Sequence, residues 1–455
     1  MMFTLGDVDG LSRKSVTELY KKYLNSGFVT LASLINFDKI YLKAEGSIIT
    51  DEQGNRYIDF LGGYGALNVG HNHPEILQGL EKVKEKPNIL QAGLNPYAAA
   101  LASNLAVMND GVLNRSFFCN SGAEAVEGAL KMARAATGRT KIVYCKNSFH
   151  GKTFGALSVT GRKKYRECFN PLLPGCEEAA FGDIDELDDK LNKKDVAGFI
   201  VEPIQGEGGV LIPPEGYLKA ARELCTLHGT LMIIDEIQTG LGRTGRMFAY
   251  EHDNIMPDII CLAKSLSGGI MPIGAFVTKD EIYHKAYGGM EKCLLHTSTF
   301  GGNTYSCAAG LAAIEVIYKE NLIHEAKKKG EYLLEKLAVL KQKYDMVKDI
   351  RGKGLLLGIE FNNKTSRFLN ALTKGNLDNI SKEYFASLVA GKLLTEYGIL
   401  TAYTLNNPNV IRIEPPLNIS YKHLDRLVEA LEGILKDNKG FIGMALGNVK
   451  NMVRT

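Results

Sequence analysis

Short apolar runs that alternate with amphipathic helices are the feature that most constrains how this chain can fold. From about Gly46 onward, strand-like runs of four or five residues alternate with segments of helical spacing, such as 123–136 and 216–228, each closed by a glycine. Runs that are apolar along their whole length favour parallel strands with helices on both faces. The sequence therefore predicts an α/β fold with a mostly parallel sheet, whose strands are Arg115–Cys119, Lys141–Cys145, Gly198–Val201, Thr230–Ile234, Ile259–Leu262 and Ala275–Thr278.

The length of 455 residues predicts more than one domain, because single cores rarely grow beyond about 250–300 residues. We expect residues 1–60 to supply a helical N-terminal segment and part of a small domain. Residues 61–330 would form a large domain, and residues 331–455 would form a C-terminal small domain.

Near the N-terminus, Ser15-Val-Thr-Glu18 predicts a helix start, and Asn25-Ser-Gly27 predicts a helix end. A long helical stretch from Thr304 to about Tyr344 precedes a second α/β set, consisting of Leu355–Phe361, a helix near Lys382–Tyr397, Ile399–Ala402, Val410–Ile413 and a last helix from about Tyr421.

Composition argues against several classes of partner. The formal net charge of +3 is small for this length and gives no reason to expect nucleic acid or an anionic membrane surface. No uncharged apolar stretch approaches the roughly 18 residues of a membrane span. The eight cysteines form no C-x-x-C pair, and His71 and His73 have no accompanying ligand set, so we expect no metal site. Unpaired cysteines in apolar runs suit a reducing compartment, and a cytoplasmic location is expected.

Three polar groups follow predicted strands, where open α/β sheets bind their ligands. Asp235 follows the run Thr230–Ile234, Lys264 follows the run Ile259–Leu262, and a Ser/Gly loop at 120–122 joins a strand to a helix. A desolvated lysine has a free-amine fraction, and a helix N-terminus binds phosphate. Taken alone, each signal also has a common structural explanation: a capping aspartate, a lysine reaching water, and an ordinary turn.

The segment Gly240–Gly245 matches the dinucleotide fingerprint G-x-G-x-x-G, which would indicate a nicotinamide-dependent dehydrogenase. That fingerprint must follow a strand directly and open a helix. Here Asp235-Glu-Ile-Gln-Thr239 intervenes, and the residues after Gly245 do not read as a helix start. The match therefore carries little weight.

Seven stretches with chemical potential follow one another along the chain: Asn120-Ser-Gly-Ala-Glu124, Phe149-His-Gly-Lys-Thr153, Glu202-Pro-Ile-Gln-Gly-Glu-Gly-Gly209, Asp235-Glu-Ile-Gln-Thr-Gly240, Lys264, Thr299-Phe-Gly-Gly-Asn303 and Arg412-Ile-Glu-Pro-Pro-Leu417. In this combination and order, the chain resembles the class III (ornithine/4-aminobutyrate-type) aminotransferases from about Gly46 to about Glu432. Ala123, Ser267 and Thr304 depart from residues that are usual in that class.

The resemblance implies the fold type I of enzymes that use pyridoxal 5'-phosphate (PLP): a large domain, a smaller α/β domain, and a homodimer with shared active sites. Lys264 would hold PLP as a Schiff base, and Asp235 would pair with its pyridine nitrogen. Thr299 would reach the cofactor phosphate of the neighbouring subunit. The other cofactor-binding residues implied in this way are Ser121, Gly122, Ala123, Phe149, Glu202 and Gln238.

The resemblance also implies the reaction and its two substrate-binding residues. Arg412 would bind a substrate carboxylate, and Glu207 would mask Arg412 while an ω-amine is bound. Phe60–Gly65 and Met271–Ala275 are among the stretches most similar to class members that use putrescine. We therefore expect ping-pong transfer of a terminal amino group from a diamine or ω-amino compound to a 2-oxo acid such as 2-oxoglutarate. Ornithine, acetylornithine, lysine, 4-aminobutyrate and a biosynthetic aldehyde remain alternative substrates.

Overall fold

The N-terminal part of the chain forms helices and a small meander of strands. The computed structural model describes residues 2–89, 92–362 and 376–437, with the backbone alone for 376–384. Residues 438–455, the last part of the predicted small domain, lie outside the described residues. The first elements are α1 (Leu5–Val8), α2 (Arg13–Tyr23), α3 (Ser26–Leu34), β1 (Tyr41–Glu45), β2 (Ile48–Asp51) and β3 (Arg56–Asp59).

A seven-stranded sheet forms the centre of the molecule, with the strand order β4-β10-β9-β8-β7-β5-β6. Five neighbouring strands, from β9 to β6, run parallel, and β10 is antiparallel to both of its neighbours. The predicted mostly parallel sheet is therefore confirmed. The strands are β4 (Arg115–Cys119), β5 (Lys141–Cys145), β6 (Cys176–Ala179), β7 (Val196–Val201), β8 (Leu231–Asp235), β9 (Ile259–Leu262) and β10 (Gly274–Thr278).

Helices cover both faces of this sheet. Along β5, Ile142 and Val143 point to opposite faces, and each packs into a separate buried apolar cluster. Burial on both faces explains why the strands are apolar throughout, as the sequence indicated. The helices between β3 and Val347 are α4 (the left-handed turn Gly62–Gly65), α5 (Pro74–Lys82), α6 (Pro96–Met108), α7 (Gly122–Thr137), α8 (Phe154–Ser158), α9 (Ile184–Leu191), α10 (Tyr217–His228), α11 (Asp280–Tyr287), α12 (Thr304–Lys319) and α13 (Leu322–Lys343).

Two four-stranded sheets lie outside the central one. One has the order β11-β12-β15-β14 and is antiparallel. The other has the order β1-β2-β3-β13. In it, β13 pairs in parallel with β3, so a strand from the C-terminal part of the chain completes a sheet of N-terminal strands. The C-terminal elements are β11 (Val347–Lys353), β12 (Leu356–Phe361), α14 (Asn376–Tyr397), β13 (Ile399–Leu400), β14 (Ala402–Tyr403), β15 (Val410–Ile413) and α15 (Tyr421–Asp437).

Several sequence predictions at element ends were wrong. Helix α2 begins one turn before the predicted start, because Ser12 rather than Ser15 is its N-cap and accepts a hydrogen bond from the Ser15 amide at 3.2 Å. The predicted helix end near Asn25 is confirmed, because α2 ends at Tyr23, but Asn25 also caps α3, so Gly27 lies inside a helix that was not predicted. The long stretch from Thr304 divides into two helices at Asn321, whose φ is +53°.

Five strands escaped prediction, namely β1, β2, β3, β6 and β11. Strands β6 and β11 lack an apolar run: β6 carries two adjacent glutamates, and β11 carries four charged residues at the edge of its sheet. The predicted strand Ile399–Ala402 is split into β13 and β14, which belong to different sheets. The segment Gly240–Gly245 forms turns and leads to the 3-10 helix Ala249–Asp253, so the α-helix that a dinucleotide site requires does not follow it.

Candidate active site

A cavity of about 470 Å³ lies at the carboxyl edge of the central sheet. Its volume is in the range of sites that hold a cofactor with a small substrate. Nine of the residues predicted from the sequence line it together: Ser121, Gly122, Ala123, Phe149, Glu202, Glu207, Asp235, Gln238 and Lys264. The parallel strands bring these residues together because their carboxyl ends meet at one edge.

Lys264 sits just beyond β9, where the backbone turns sharply. Its φ of +46° lies in the left-handed region, which is uncommon for a residue with a side chain and occurs often at functional sites. Burial lowers the pKa of the Lys264 ammonium, although the carboxylates of Glu414 and Glu207 oppose that effect. A lowered pKa increases the fraction of free amine, which is the form that attacks a carbonyl carbon.

Asp235 is the last residue of β8 and is held at both carboxylate oxygens. Its Oδ1 accepts a hydrogen bond from the Ile237 amide at 3.0 Å, and its Oδ2 lies 2.7 Å from Nδ1 of His150. Asp235 and His150 are both buried. His150 had no role predicted from the sequence, although its position beside Phe149, in the loop after a buried strand, was the available signal.

The N-terminus of α7 forms one wall of the cavity. Ser121 caps this 16-residue helix by accepting a hydrogen bond from the Glu124 amide at 3.2 Å. The first N–H groups of a helix have no partner within it and attract anions. At Gly122 a Cβ atom would lie 2.8 Å from Cδ1 of Ile237, so a side chain there would crowd the cavity wall. This arrangement suits a phosphate group.

Glu202 holds two loops at the cavity. Its Oε1 accepts a hydrogen bond from the Phe149 amide at 2.9 Å, and its Oε2 accepts one from the Gly206 amide at 3.3 Å. Burial raises the pKa of Glu202 to about 7. Through these two bonds, Glu202 fixes the positions of the Phe149 ring and of the loop that carries Glu207.

Glu207 and Arg412 form a buried ion pair beside the cavity. Oε2 of Glu207 lies 2.5 Å from a terminal nitrogen of Arg412 and also accepts a hydrogen bond from the Leu405 amide at 2.8 Å. Burial by itself would raise the pKa of Glu207, but Arg412 overcomes that effect and lowers it. Glu207 lines the cavity, and Arg412 lies behind it with 1% of its side chain exposed.

Gln238 lines the cavity and reaches the Glu207–Arg412 pair only indirectly, through Glu414. Its Nε2 donates hydrogen bonds to Oε2 of Glu414 at 3.0 Å and to the Tyr64 carbonyl at 3.3 Å. Its Oε1 occupies space that a Cβ on residue 206 would fill, because such an atom would lie 1.6 Å from it. The glycine at position 206 therefore makes room for Gln238.

The loop that contains Thr299 lies near the helix α7 end of the cavity. Nδ2 of Asn120, which lines the cavity, donates a hydrogen bond to Oγ of Ser298 at 3.1 Å, and Thr299 next to Ser298 is exposed.

Ser267 and Thr304, two of the residues that depart from the usual pattern of the class, have structural roles. Oγ of Ser267 bonds to the Met271 carbonyl at 2.5 Å, and Oγ1 of Thr304 donates to the Pro87 carbonyl at 2.7 Å.

Comparison with known proteins identifies the family. The model of the family described as aminotransferase class III matches residues 34–435. The chain belongs to the class III aminotransferases. Class III aminotransferases transfer amino groups with PLP as cofactor, so this chain is a PLP-dependent transaminase with the fold type I architecture. The weak dehydrogenase alternative is thereby excluded.

Solved structures of several transaminases are similar to this class III enzyme over nearly their whole length. Ornithine aminotransferase from Toxoplasma gondii is 32% identical, with a TM-score of 0.84 and coverage of 96% of this chain and 100% of that one. Acetylornithine aminotransferase from Elizabethkingia anophelis is 31% identical, with a TM-score of 0.76 and coverage of 93% and 99%. A PLP-bound amine transaminase from an uncultivated Pseudomonas species is 29% identical, with a TM-score of 0.79 and coverage of 88% and 94%.

The residues around the cavity fit PLP chemically. A helix N-terminus suits its phosphate, a buried carboxylate at Asp235 suits its protonated ring nitrogen, and the amine of Lys264 suits its aldehyde. Nothing in this donor set calls for a metal, and within the described residues no cluster of three or more potential metal ligands occurs. Nor does any described helix have the length and apolarity needed to cross a membrane.

Proposed function

We propose that this class III aminotransferase moves the terminal amino group of a diamine, with putrescine as the best candidate, to a 2-oxo acid, with 2-oxoglutarate as the best candidate. The observation that carries the proposal is the Glu207–Arg412 ion pair at 2.5 Å. While Glu207 covers Arg412, the described residues that line the pocket present no free guanidinium to a substrate carboxylate. A donor without a carboxylate, such as a diamine, suits that state.

The same pair provides for the second substrate. A dicarboxylic 2-oxo acid needs a planar guanidinium that can make two parallel hydrogen bonds, and Arg412 has that geometry once Glu207 moves away. Glu207 sits on the glycine-rich loop Gly206–Gly209, which is compatible with such a movement. One pocket thereby serves a cationic donor and an anionic acceptor in turn, as ping-pong kinetics requires.

The proposed roles of the remaining residues come from the family resemblance and agree with their positions at the cavity. Ser121, Gly122 and Ala123 would hold the phosphate of PLP, and Phe149 would stack on its ring. Gln238 would contact the 3-oxygen, and Glu202 would keep Phe149 in place through the bond to its amide. Asp235 would keep the ring nitrogen protonated. When bound, PLP supplies an aldehyde that condenses with amines and an electron sink that stabilises carbanions.

Lys264 is the proposed catalytic acid and base. Its Nζ would take a proton from the substrate carbon that bears the amino group and later return a proton to complete the transfer. A lowered pKa favours the unprotonated amine that the first of these steps needs. The strained backbone at Lys264 fixes where the side chain enters the cavity, so the amine reaches one point within it.

We propose that the enzyme works as a homodimer in the cytoplasm. Several large apolar side chains are exposed around the loop that carries Thr299, namely Met290, Leu294, Leu295 and Phe300. A monomer rarely exposes such a patch, so a second copy of the chain is the proposed cover. The eight cysteines are all unpaired, which suits a reducing compartment.

Ornithine is the second candidate donor, because the similar structures include ornithine aminotransferases. Ornithine has a carboxylate next to its α-amine and would need a cationic partner in the pocket. If Arg412 is that partner, Glu207 must move for the donor as well as for the acceptor. This requirement separates the two candidates experimentally.

The test is the visible absorbance spectrum of the PLP-loaded protein before and after addition of putrescine without an oxo acid. The proposal expects the band of bound PLP to fade, because the amino group passes to the cofactor in this half-reaction. Fading with ornithine or 4-aminobutyrate but not with putrescine would overturn the proposed donor. The absence of a band after reconstitution with PLP would overturn the roles assigned to Lys264 and Asp235.

A further inference from the structure

Glu414 is a second buried carboxylate at Arg412, and the roles described so far leave it unused. It directly follows β15, two residues after Arg412, so both side chains leave the chain on the same side. Oε2 of Glu414 lies 3.4 Å from a terminal nitrogen of Arg412, on the opposite branch from Glu207, and accepts the Gln238 hydrogen bond. Oε1 is buried and finds no hydrogen-bond partner among the described residues.

The charges around Arg412 do not balance. One guanidinium faces two carboxylates, Glu207 at 2.5 Å and Glu414 at 3.4 Å, so the three side chains carry a net charge of −1 when all are ionised. Among the neighbouring charges, Glu414 is the one that most opposes the lowering of the pKa of Lys264. Arg243 is a second buried guanidinium that interacts with Glu414, but its hydrogen bonds go to backbone carbonyls and a side-chain amide rather than to a carboxylate. A buried carboxylate that shares its ion-pair partner with a second carboxylate costs stability, so its presence here points to a functional use.

A left-handed turn of the backbone packs closely against Glu414. Residues 62–65 all have φ between +55° and +82°, and this left-handed turn lies against it. A Cβ on Gly62 would lie 2.3 Å from the Glu414 carbonyl oxygen, and a Cβ on Gly65 would lie 2.9 Å from Oε1 of the same residue. Within the turn, the Tyr64 ring covers the guanidinium of Arg412, with 5.1 Å between the ring centroid and Cζ.

We propose that Glu414 is a positioning residue that makes the pocket select cationic amine donors, because its charge remains after Glu207 has neutralised Arg412. This inference rests on the proposed function and adds a determinant of donor class to it. A distal ammonium group gains from the remaining negative charge. A distal carboxylate, as in 4-aminobutyrate, must displace Glu207 and still meets a carboxylate on the other branch of Arg412.

The test compares kcat/KM for putrescine, 4-aminobutyrate and 2-oxoglutarate in the wild type and in Glu414→Gln. In ping-pong kinetics each kcat/KM reports one half-reaction, so donors and acceptor can be read separately. We expect Glu414→Gln to lower kcat/KM for putrescine by about tenfold and to raise it for both carboxylate substrates. A merely structural role would lower all three.

Two further variants and a binding measurement make the test independent of folding and turnover. Glu414→Asp keeps the charge and should keep the wild-type ratio of putrescine to 4-aminobutyrate. Asp258→Asn removes a buried, ion-paired carboxylate just before β9, at the end of that strand away from Lys264. This variant should leave the ratio of putrescine to 4-aminobutyrate unchanged. Calorimetry with the PLP-loaded enzyme should show tighter binding of glutarate, an unreactive dicarboxylate, to Glu414→Gln.

The outcomes separate the two proposals. If the wild type prefers 4-aminobutyrate to putrescine, the diamine function fails. If Glu414→Gln then still raises kcat/KM for 2-oxoglutarate and tightens glutarate binding, the role of Glu414 stands. If neither property changes, or if the donor ratio of Glu414→Gln equals that of the wild type, the role of Glu414 is overturned.

Discussion

Nδ1 of His150 lies 2.7 Å from Oδ2 of Asp235, with both side chains buried. The other oxygen of Asp235 accepts the Ile237 amide, so the carboxylate cannot rotate freely. A buried carboxylate held in this way keeps one orientation toward the cavity. His150 therefore controls the direction in which Asp235 presents its charge, although it was not among the residues assigned from the sequence.

Replacing His150 should weaken the enzyme through Asp235. We expect His150→Ala to reduce kcat by about 10- to 100-fold, since a hydrogen bond to a charged group contributes roughly 1.5–3 kcal/mol. The affinity of the apoenzyme for PLP, measured by fluorescence titration, should fall as well. His150→Asn can place an N–H near the position of Nδ1 and should recover part of both losses. Unchanged kcat and PLP affinity in His150→Ala would contradict this role.

Removal of Glu207 should affect the two half-reactions unequally. Glu207→Ala exposes Arg412 to the cavity, so kcat/KM should fall more for putrescine than for 2-oxoglutarate, by about tenfold in their ratio. Steady-state kinetics with each substrate varied provides the measurement. Glu215→Ala, which removes an exposed carboxylate farther along the same segment, serves as the control. Equal losses for the two substrates would count against a gate.

The stability of the protein should fall as the pH rises toward 7, partly because of Glu202. Burial raises its pKa from 4.5 to about 7, so the folded state binds a proton that the unfolded state has released between those values. The contribution of Glu202 to the unfolding free energy is therefore fully present below pH 4.5, and about 3 kcal/mol of it has been lost above pH 7. Glu202→Gln should reduce the fall measured by urea denaturation between pH 5 and pH 8.

Glu360→Gln supplies the control for this pH dependence. Burial alone would raise the pKa of Glu360, but Lys348 and Arg351 lower it overall. Its contribution to stability is therefore lost toward acid rather than toward neutral pH. This variant should leave the fall between pH 5 and pH 8 unchanged. If Glu202→Gln behaved in the same way, the titration assigned to Glu202 would be wrong.

The exposed apolar side chains near Thr299 should form a subunit interface. Sedimentation velocity should give twice the chain mass of 49.8 kDa for the wild type. Leu294, with 78% of its surface exposed, is the side chain to change. Leu294→Asp should produce monomers with little activity, because the partner subunit's loop would no longer complete the site. Leu227→Asp, at a residue with 71% exposure on α10, should remain a dimer. A wild type that is monomeric and active would refute this interface.

The sequence by itself determined the apolar strands of the central sheet and predicted the chemistry at their ends. Apolar runs such as Ile259–Leu262 are local signals, since a strand buried on both faces must be apolar along its length. The polar residues that follow them, Asp235 and Lys264, could be placed at one sheet edge from connectivity alone. Strand β6 was missed for the converse reason, because a half-exposed edge strand with two glutamates lacks that signal.

Only the tertiary structure decided which of these groups touch. His150 and Asp235 are 85 residues apart in the chain, Gln238 and Glu414 are 176 apart, and Glu207 and Arg412 are 205 apart. Hydrogen bonds and ion pairs between such residues depend on sub-ångström placement by packed helices and strands, which no local pattern encodes. The sequence therefore determined which groups are proposed to react, whereas packing determined the partner and the charge balance of each one.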